Sequence, residues 1–409
     1  MKESQGFEKL SHYAAKWDCT HHQVSSLQIK ANRCRVLNQL NQILKNDESA
    51  LKYDLKKIAY SSINKGYLKG KQIRRVIFYL RSKGCAWCTT KSGGCFMCGH
   101  YHGTTKGKNF PLDLMSHYEQ FISEFKKYDF SKFPMICIYN AGSLLNHDEL
   151  SEENFTRILS TINENPHIKH VIIESRPEFI NNDILTRINK LIKDKTIEIG
   201  IGLETTSDKI RSLCINKGFN FSEYRSAVEL IKHHKLNVLT YLTVKPIFLT
   251  ISESIYDIVK SINDICSITD VISLEPTSIQ NGTLVDFFFQ RGLYSIPKGW
   301  MIRDILCEIE EVIKYNAVEL RIGGFEFYPI PDFVISNCPQ CNDSLYRAID
   351  RYNTTKDLGE LKMLKCSCEY QYNKNILNED EQIGNISLEE RISRLLALEL
   401  SKSPVNTYE

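Results

Sequence analysis

Four cysteines crowd into one glycine-rich stretch, residues 84–100, and this stretch restricts the fold more than any other part of the chain. The cysteines follow directly on the apolar run 76–80, which is short, β-branched and aromatic and therefore predicts a buried strand. They consequently occupy a loop at the carboxyl end of a strand, where the active sites and ligand-binding sites of α/β folds lie. Glycines within the loop allow the backbone to wrap closely around a bulky ligand.

The spacing of these cysteines is compatible with two kinds of metal centre. A cubane iron–sulfur cluster held by three thiolates leaves one iron open for a small molecule, and Cys95 and Cys98 form a Cys-x2-Cys pair with Cys85 upstream. The alternative is a structural zinc ion bound by all four thiolates, because Cys85 and Cys88 also have zinc spacing. The strand–helix pattern downstream favours the cluster, since a zinc ribbon does not need it.

The composition restricts the class of protein. A chain of 409 residues can hold one large domain with appendages. No apolar run approaches the roughly 18 residues of a membrane span, and the first residues lack an apolar signal core, so we expect a cytoplasmic protein without membrane contact. Its 14 cysteines then predict metal or redox use rather than a disulfide framework.

The charge distribution is more informative than the net charge of +3. Residues 55–112 contain no Asp or Glu, whereas they contain 12 Lys or Arg. Such a block is typical of a nucleic-acid footprint. The alternative is a solvated basic face whose charges balance an anionic cluster.

Strand and helix patterns alternate after the cysteine loop. The predicted strands are residues 76–80, 134–139, 170–174, 197–203, 238–244 and 270–274. Alternation at this spacing predicts parallel strands joined by helical crossovers. Six strands are too few for a closed eight-stranded barrel, so we predict an α/β fold with a partial (β/α)6 barrel over residues 71–330. We predict an N-terminal helical cap over residues 1–70 and a small cysteine-rich C-terminal region with a terminal helix over residues 331–409.

The C-terminal region contains a second set of four cysteines. Cys338 and Cys341 form a Cys-x2-Cys pair, and Cys366 and Cys368 form a Cys-x-Cys pair. Four thiols at this spacing predict a structural zinc ion that stabilises a small region lacking its own core. A second iron–sulfur cluster and four incidental thiols are the alternatives.

Short motifs spread over residues 74–370 together carry a resemblance to a known family. They are Gly-Cys-Phe-Met-Cys-Gly at 94–99, Gly-Ser-Leu-Leu-Asn at 142–146, Glu-Ser-Arg-Pro-Glu at 174–178, Gly-Leu-Glu-Thr at 202–205, Ile-Asn-Lys-Gly-Phe at 215–219, Lys-Pro at 245–246 and Pro-Thr-Ser-Ile-Gln-Asn-Gly-Thr-Leu-Val at 276–285. The chain resembles radical S-adenosylmethionine (SAM) enzymes of the branch containing the Elongator catalytic subunit. Within that branch it is most similar to the archaeosine-biosynthesis radical SAM family, RaSEA.

The resemblance implies which cysteines are catalytic. The family pattern is Cys-x9-Cys-x2-Cys, so Cys85, Cys95 and Cys98 are expected to bind the 4Fe-4S cluster. Cys88 is then the supernumerary thiol.

The resemblance also implies the SAM-binding residues. Backbone groups around Met97 are expected to meet the adenine, and Gly142 and Ser143 are expected to contact the amino group. Glu204 and Lys217 are expected to bind the ribose or the methionyl end.

The reaction implied by the resemblance is cleavage of a lysine adduct on a 7-deazaguanine base in tRNA, which leaves the amidine of archaeosine. The implied partners are tRNA, an electron donor such as ferredoxin or flavodoxin, and a lysine-transferring archaeosine synthase subunit.

The chain departs from the family pattern at two strand ends. The family usually continues Lys-Pro-Pro after the fifth strand, where this chain has Ile247, and it usually ends the sixth strand with Asn-Pro, where this chain has Glu275 and Pro276. Substrate contacts are expected to differ here. A radical SAM enzyme acting on another nucleobase, a peptide or a small molecule is therefore an alternative. An alternative of another class is a zinc-stabilised nucleic-acid-binding module without catalysis.

Charged side chains at the strand ends have two interpretations. Glu174 and Arg176 either serve the site or form an ion pair across the barrel mouth. Lys245 either reaches into the mouth or pairs with Glu204 or Glu275.

Overall fold

The computed structural model describes residues 26–45, 54, 56–68, 71–105, 116–325, 327–384 and 386–401. Its centre is a single sheet of eight strands in sequential order. The strands are β1 Tyr60–Leu68, β2 Lys71–Tyr79, β3 Met135–Tyr139, β4 His170–Glu174, β5 Thr196–Glu204, β6 Asn237–Val244, β7 Val271–Pro276 and β8 Glu319–Ile322. β2 to β8 run parallel. Sequential parallel order is typical of a barrel, whereas a doubly wound sheet reverses its order.

The six predicted strands correspond to β2 through β7, so the predicted partial (β/α)6 barrel is confirmed. Each is rich in β-branched residues, and β3 is buried at every position. Parallel strands need apolar side chains on both faces because helices cover one face and the barrel interior fills the other.

The structure differs from the predicted N-terminal helical segment in one part. Residues 1–25 lie outside the described residues, and Ser26–Lys45 is a helix as predicted. However, β1 is a strand that pairs antiparallel with β2, from Tyr60 opposite Tyr79 to Leu68 opposite Lys71. A partner on this side satisfies backbone groups of β2 that would otherwise form a sheet edge.

The eighth strand was not predicted. β8 has four residues and includes Arg321, which is too short and too polar for a recognisable strand pattern. It pairs parallel with β7, from Glu319 opposite Val271 to Ile322 opposite Leu274.

Helices pack on the outer face of the sheet. Helices between successive strands are Ser116–Phe125, Glu152–Glu164, Asn182–Leu191, Phe221–His233, Ile251–Ile265 and Gly299–Asn316, and the others include Ser26–Lys45, Leu284–Gln290, Asn342–Thr355, Gly359–Met363, Cys368–Ile383 and Leu388–Ser401. Two of them begin with a complete capping box, at Asn220 and at Thr250. Such boxes satisfy backbone donors at the helix start and define where the helix begins.

Strand residues alternate between two apolar clusters. In β2, Val76 and Phe78 join the main core under the helices, whereas Ile77 and Tyr79 join a smaller cluster inside the barrel. This alternation follows from the two-residue period of a strand. The inner cluster is small, and the space beyond it contains polar side chains and a cavity.

A third apolar cluster connects both ends of the described chain to the cysteine loop. Leu37 and Leu40 of the helix Ser26–Lys45 share this cluster with Phe96 of the loop and with Ile392 and Leu396 of the helix Leu388–Ser401. The two terminal helices therefore cover the cysteine loop together. Within the described residues, no helix is both long and apolar enough to cross a lipid bilayer.

Candidate active site

A cavity of about 660 Å³ lies at the carboxyl ends of the parallel strands. This volume is within the range of sites that bind cofactors and small molecules. All four cysteines of the loop line the cavity, as do Met97, Gly142, Glu204 and Lys217. The structure therefore brings almost all of the sequence-predicted loop and SAM residues to one space.

The cysteine loop wraps tightly around its own side chains. Gly93 and Gly94 have positive φ angles of 70° and 76°, which side chains other than glycine rarely adopt. A Cβ on Gly94 would collide with the Cys88 Sγ. Two tight turns, Cys88 N to Cys85 O at 3.0 Å and Cys98 N to Cys95 O at 3.3 Å, orient the thiols toward the cavity.

A buried lysine and an asparagine of the helix Ser26–Lys45 hold the loop from above. Lys45 Nζ donates to the carbonyls of Gly93 and Cys95, both at 2.8 Å. Asn41 Nδ2 donates to the carbonyls of Gly93 and Gly94, both at 2.9 Å. Sequence analysis did not identify either residue, because both occupy an ordinary amphipathic helix without a motif.

A second group holds the loop from the opposite side. Asn216 has a positive φ of 59° and donates through Nδ2 to the carbonyls of Ser92 and Gly94 at 2.9 and 2.8 Å. Trp87 Nε1 in turn donates to the Asn216 carbonyl at 2.7 Å. The motif at 215–219 contained Asn216, but its contact with the cysteine loop could not be derived from the sequence.

The electrostatics of the loop suit an anionic cluster. Burial raises the pKa of Cys95 to about 11, while the charge of Lys217 opposes this rise. A hydrogen bond with Cys88 lowers the pKa of Cys98 well below its usual value, although burial opposes it. Thiolate donors with buried lysine charges nearby are the setting that an iron–sulfur cluster requires, so the residues fit this group.

Glu204 and Lys217 form a buried ion pair in the cavity wall. Lys217 Nζ lies 2.5 Å from Glu204 Oε1, and Thr243 Oγ1 donates to Glu204 Oε2 at 2.5 Å. Burial works against the charge of Lys217, but the Glu204 carboxylate outweighs it and raises the Lys217 pKa. A Cβ on Gly202 would lie 2.5 Å from atoms of both side chains, so only glycine fits beside the pair.

Glu149 joins the cysteine loop to the loop after β3. It accepts hydrogen bonds from Ala86 N at 2.8 Å and from Ser143 N at 2.6 Å. Gly142 lines the cavity, and a Cβ there would collide with Glu149 and approach Cys85 Cα to 3.0 Å. Ser143 itself is fully buried beneath the cavity wall. Glu149 lies outside every motif that sequence analysis used.

The predicted ion pairs at the strand ends are not those of the structure. Arg176 pairs with Glu178 at 2.5 Å rather than with Glu174. Lys245 Nζ donates to the Ser295 carbonyl and hydroxyl at 3.0 and 3.1 Å rather than to a carboxylate. The first ion pair is local, because Arg176 and Glu178 belong to the same short turn after β4. The second contact joins residues 50 apart and therefore depends on the packing of the chain.

The C-terminal cysteines converge on a single point. Cys338 Sγ lies 3.7 Å from Cys341 Sγ and 3.5 Å from Cys366 Sγ. Cys341 Sγ lies 3.7 Å from Cys368 Sγ, and all four sulfurs lie within 4.8 Å of one another. Four thiolates about 2.3 Å from a tetrahedral zinc ion would be about 3.8 Å apart, so the set fits zinc.

The helix Asn342–Thr355, which begins next to Cys341, extends from these cysteines to the open side of the barrel. Asp350 accepts hydrogen bonds from Lys65 Nζ at 2.6 Å and Tyr67 OH at 2.7 Å, both on β1. Asn353 bonds the backbone N and O of Ile322 on β8, both at 2.8 Å. The helix thus connects the two edge strands and forms one wall of the cavity.

Comparison with known proteins gives two named relatives. The chain matches no family model. It is 30% identical over 317 residues to archaeosine synthase subunit beta of Methanosarcina acetivorans, a match that covers 78% of this chain and 89% of the relative. It is 27% identical over 276 residues to the subunit of the same name in Thermococcus kodakarensis, a match that covers 67% of this chain and 83% of the relative. Among solved structures, Elp3 of Methanocaldococcus infernus has 16% identity and a TM-score of 0.43, with 60% of each chain covered.

Proposed function

The chain belongs to the archaeosine synthase beta-subunit family of radical SAM proteins, and we propose that it is the lyase that converts a lysine adduct of a 7-deazaguanine base in tRNA to archaeosine. The single observation that carries this proposal is the cavity at the strand ends. It combines three family-pattern thiols, Cys85, Cys95 and Cys98, with the Glu204–Lys217 pair in one wall.

Each cavity residue has a role in this proposal. Cys85, Cys95 and Cys98 hold a 4Fe-4S cluster, and Cys88 stays outside the ligand set. When bound, the cluster and SAM supply the reductive cleavage of a sulfur–carbon bond that generates a hydrogen-abstracting radical.

The remaining cavity residues bind and orient SAM. Glu204 and Lys217 present one acceptor and one donor, already fixed by their mutual ion pair, to the polar end of SAM. Gly142 leaves the backbone accessible because it has no side chain, and backbone groups around Met97 would meet the adenine. Ser143 supports this wall through its buried contacts with Glu149 and with Arg176 N, which donates to the Ser143 hydroxyl at 3.1 Å.

The tRNA approaches over the acid-free block. Lys56, Lys57, Lys71, Arg74 and Lys91 of this block are exposed, so they are available to phosphate groups. Arg81 belongs to the same block but is buried, and it donates to the Gly103 carbonyl at 3.2 Å, so its role is structural. The proposal also requires an electron donor such as ferredoxin or flavodoxin and a partner subunit that installs the lysine, all in the cytoplasm.

The experiment that tests this function is a measurement of 5′-deoxyadenosine. The anaerobically reconstituted, reduced protein is incubated with SAM alone, with unmodified tRNA, and with tRNA carrying the lysine–deazaguanine adduct. We expect a large increase with the adduct only, together with archaeosine in the tRNA. Slow formation that is indifferent to tRNA would retain the radical SAM chemistry and refute the substrate.

A further inference from the structure

Three carboxylates lie at the ends of β4, β5 and β7 in the cavity wall, and they differ in their partners. Glu174 ends β4, Glu204 ends β5, and Glu275 is the penultimate residue of β7. Glu204 pairs with Lys217. Within the described residues, no Lys, Arg or His nitrogen lies within 4.0 Å of a carboxylate oxygen of Glu174 or Glu275.

Basic side chains near these carboxylates already have other partners. Arg176 bonds Glu178 and the Lys217 carbonyl. Arg321 bonds Glu198 and Glu319 at the inner end of the barrel. Arg75 and His100 also line the cavity, and their charges act on Glu275 and Glu174 respectively without forming an ion pair with them. Among the described residues, Glu174 and Glu275 therefore lack a direct basic partner.

Glycines make room for both carboxylates, so their positions are built into the wall. A Cβ on Gly323 would lie 2.7 Å from Glu275 Cδ. A Cβ on Gly200 would lie 3.1 Å from Glu174 Cγ. Glu275 also lines the cavity, and one of its carboxylate oxygens accepts a hydrogen bond from Ser273 Oγ at 2.6 Å.

Burial dominates the pKa shifts of this region. Burial raises the pKa of Glu275 to about 7, and the charges of Glu204 and Glu174 add to this effect. Burial and the charge of Glu174 also raise the pKa of Tyr241 well above its ordinary value. A carboxylate kept in this setting gains most from a ligand that brings positive charge.

We propose that Glu275, with Glu174 in the wall of the same cavity, forms an anionic subsite that binds the amidinium group of the modified base. An amidinium presents two N–H donors in a planar fork, which matches the two oxygens of a carboxylate. The ring faces of Tyr79, Tyr139 and Tyr241 line the same cavity and provide flat apolar contact for a base. This subsite rests on the proposed function, and it names the part of the substrate that the strand end of β7 recognises.

Glu275 also makes the subsite specific to this chain. It stands where the family pattern has Asn, which has no charge and cannot offer two equivalent acceptor oxygens. A carboxylate here selects a cationic group over a neutral one of the same shape. Glu275 is therefore a specificity-determining residue for the substrate.

The first test uses two small probes of equal shape on the reconstituted full-length protein. Benzamidine carries the amidinium, and benzamide is its neutral counterpart. We expect wild type to bind benzamidine more tightly than benzamide. Glu275→Gln should weaken benzamidine binding by about 10- to 100-fold and change the affinity for benzamide by less than about twofold. Glu308→Gln, at an exposed position, removes the same charge outside the cavity and is the matched control. Equal loss of both probes, or no loss of benzamidine, would overturn the subsite.

Folding is checked separately, by iron content and thermal midpoint. If Glu275→Gln does not fold, Glu275→Asn takes its place with the same expected loss, since the family pattern has Asn at this position. Retained benzamidine affinity in a folded Asn variant would overturn the subsite as well.

The second test distinguishes the subsite from the function on which it rests. With the adduct-bearing tRNA, Glu275→Gln is expected to raise KM by about 10-fold or more relative to wild type. Adduct-dependent deoxyadenosine in wild type with an unchanged KM in the variant would refute the subsite and leave the function standing. Absence of any adduct response in wild type would refute the function, and the benzamidine measurement would still decide the subsite.

Discussion

The cysteine loop at the cavity and the C-terminal cysteine cluster each contain four thiols, but they are arranged for different ligands. In the C-terminal cluster the sulfurs of Cys338, Cys341, Cys366 and Cys368 all lie within 4.8 Å of one another. Among the described residues, no other set of three or more Cys, His, Asp or Glu ligand atoms converges in this way. The loop thiols instead line a cavity of about 660 Å³.

The difference separates a closed set of thiols from a set that faces open space. Both regions contain Cys-x2-Cys pairs, so spacing alone does not distinguish them. A closed set of four thiolates leaves no open position on a metal, whereas thiols around a cavity leave room for a second ligand. The loop also has buried Lys45 and Lys217 nearby, which favour an anionic cluster.

The largest expected effect separates the thiols within the loop. Cys95→Ala should abolish SAM cleavage, with a loss of more than about a hundredfold, because even changes to the partners of metal ligands cost about 10- to 100-fold. Cys88→Ala should leave much of the cleavage. Deoxyadenosine formation and iron content measure both. Equal losses in the two variants would show that Cys88 is also a ligand and would remove the contrast with the C-terminal cluster.

Substitution in the C-terminal cluster should affect zinc content and stability, whereas substitution in the loop affects SAM cleavage and iron content. Cys341→Ser should abolish bound zinc and destabilise the helix Asn342–Thr355 by several kcal/mol, because a structural zinc ion contributes its binding energy to folding. Metal analysis and limited proteolysis measure this effect. Cys307→Ser, at an exposed position away from both sets, is the control. Loss of iron alone, with zinc retained, would show that the C-terminal cluster binds iron and that zinc is bound elsewhere.

A third prediction tests whether the C-terminal region supports the barrel. Asn353→Ala should lower the free energy of unfolding by about 2–3 kcal/mol, because the Ile322 backbone N–H and C=O lose their buried partner. Chemical denaturation measures the loss, and amide hydrogen exchange should increase at Ile322. Asn378→Ala, at an exposed position of Cys368–Ile383, should change stability by less than about 0.5 kcal/mol. Equal effects of the two variants on stability would show that the C-terminal region does not stabilise the barrel through Asn353.

The smallest expected effect concerns the cavity itself. The pKa of Glu275 is raised from its ordinary value of 4.5 to about 7, so the native state holds this proton more tightly than the unfolded state. This contribution to stability is complete below pH 4.5 and is lost as the pH rises through 7. Glu275→Gln should therefore be more stable than wild type at pH 8, by about 1–2 kcal/mol, and not at pH 4.5. Urea unfolding at both pH values measures the stability difference between the variant and wild type. An equal difference at the two pH values would contradict the raised pKa of Glu275.

Much of the barrel could be predicted because buried parallel strands are apolar on both faces. β3 is a continuous apolar run, and β4 has three consecutive β-branched residues at its centre. A local pattern was therefore sufficient to predict both strands. β1 was missed because it has Ser, Asn and Lys at exposed or half-buried positions. β8 was missed because its Arg321 is stabilised inside the barrel by Glu198, which lies 123 residues away.

The sequence by itself determined the motif on which the proposed chemistry rests, since the spacing of Cys85, Cys95 and Cys98 and the strand that precedes them are local properties. Only the tertiary structure decided the partners. Lys45 reaches the loop from a helix 50 residues earlier, and Glu275 is left without a basic partner. The physical reason is that hydrogen bonds and ion pairs depend on which side chains face each other, and residues far apart in the sequence meet only when the whole chain packs.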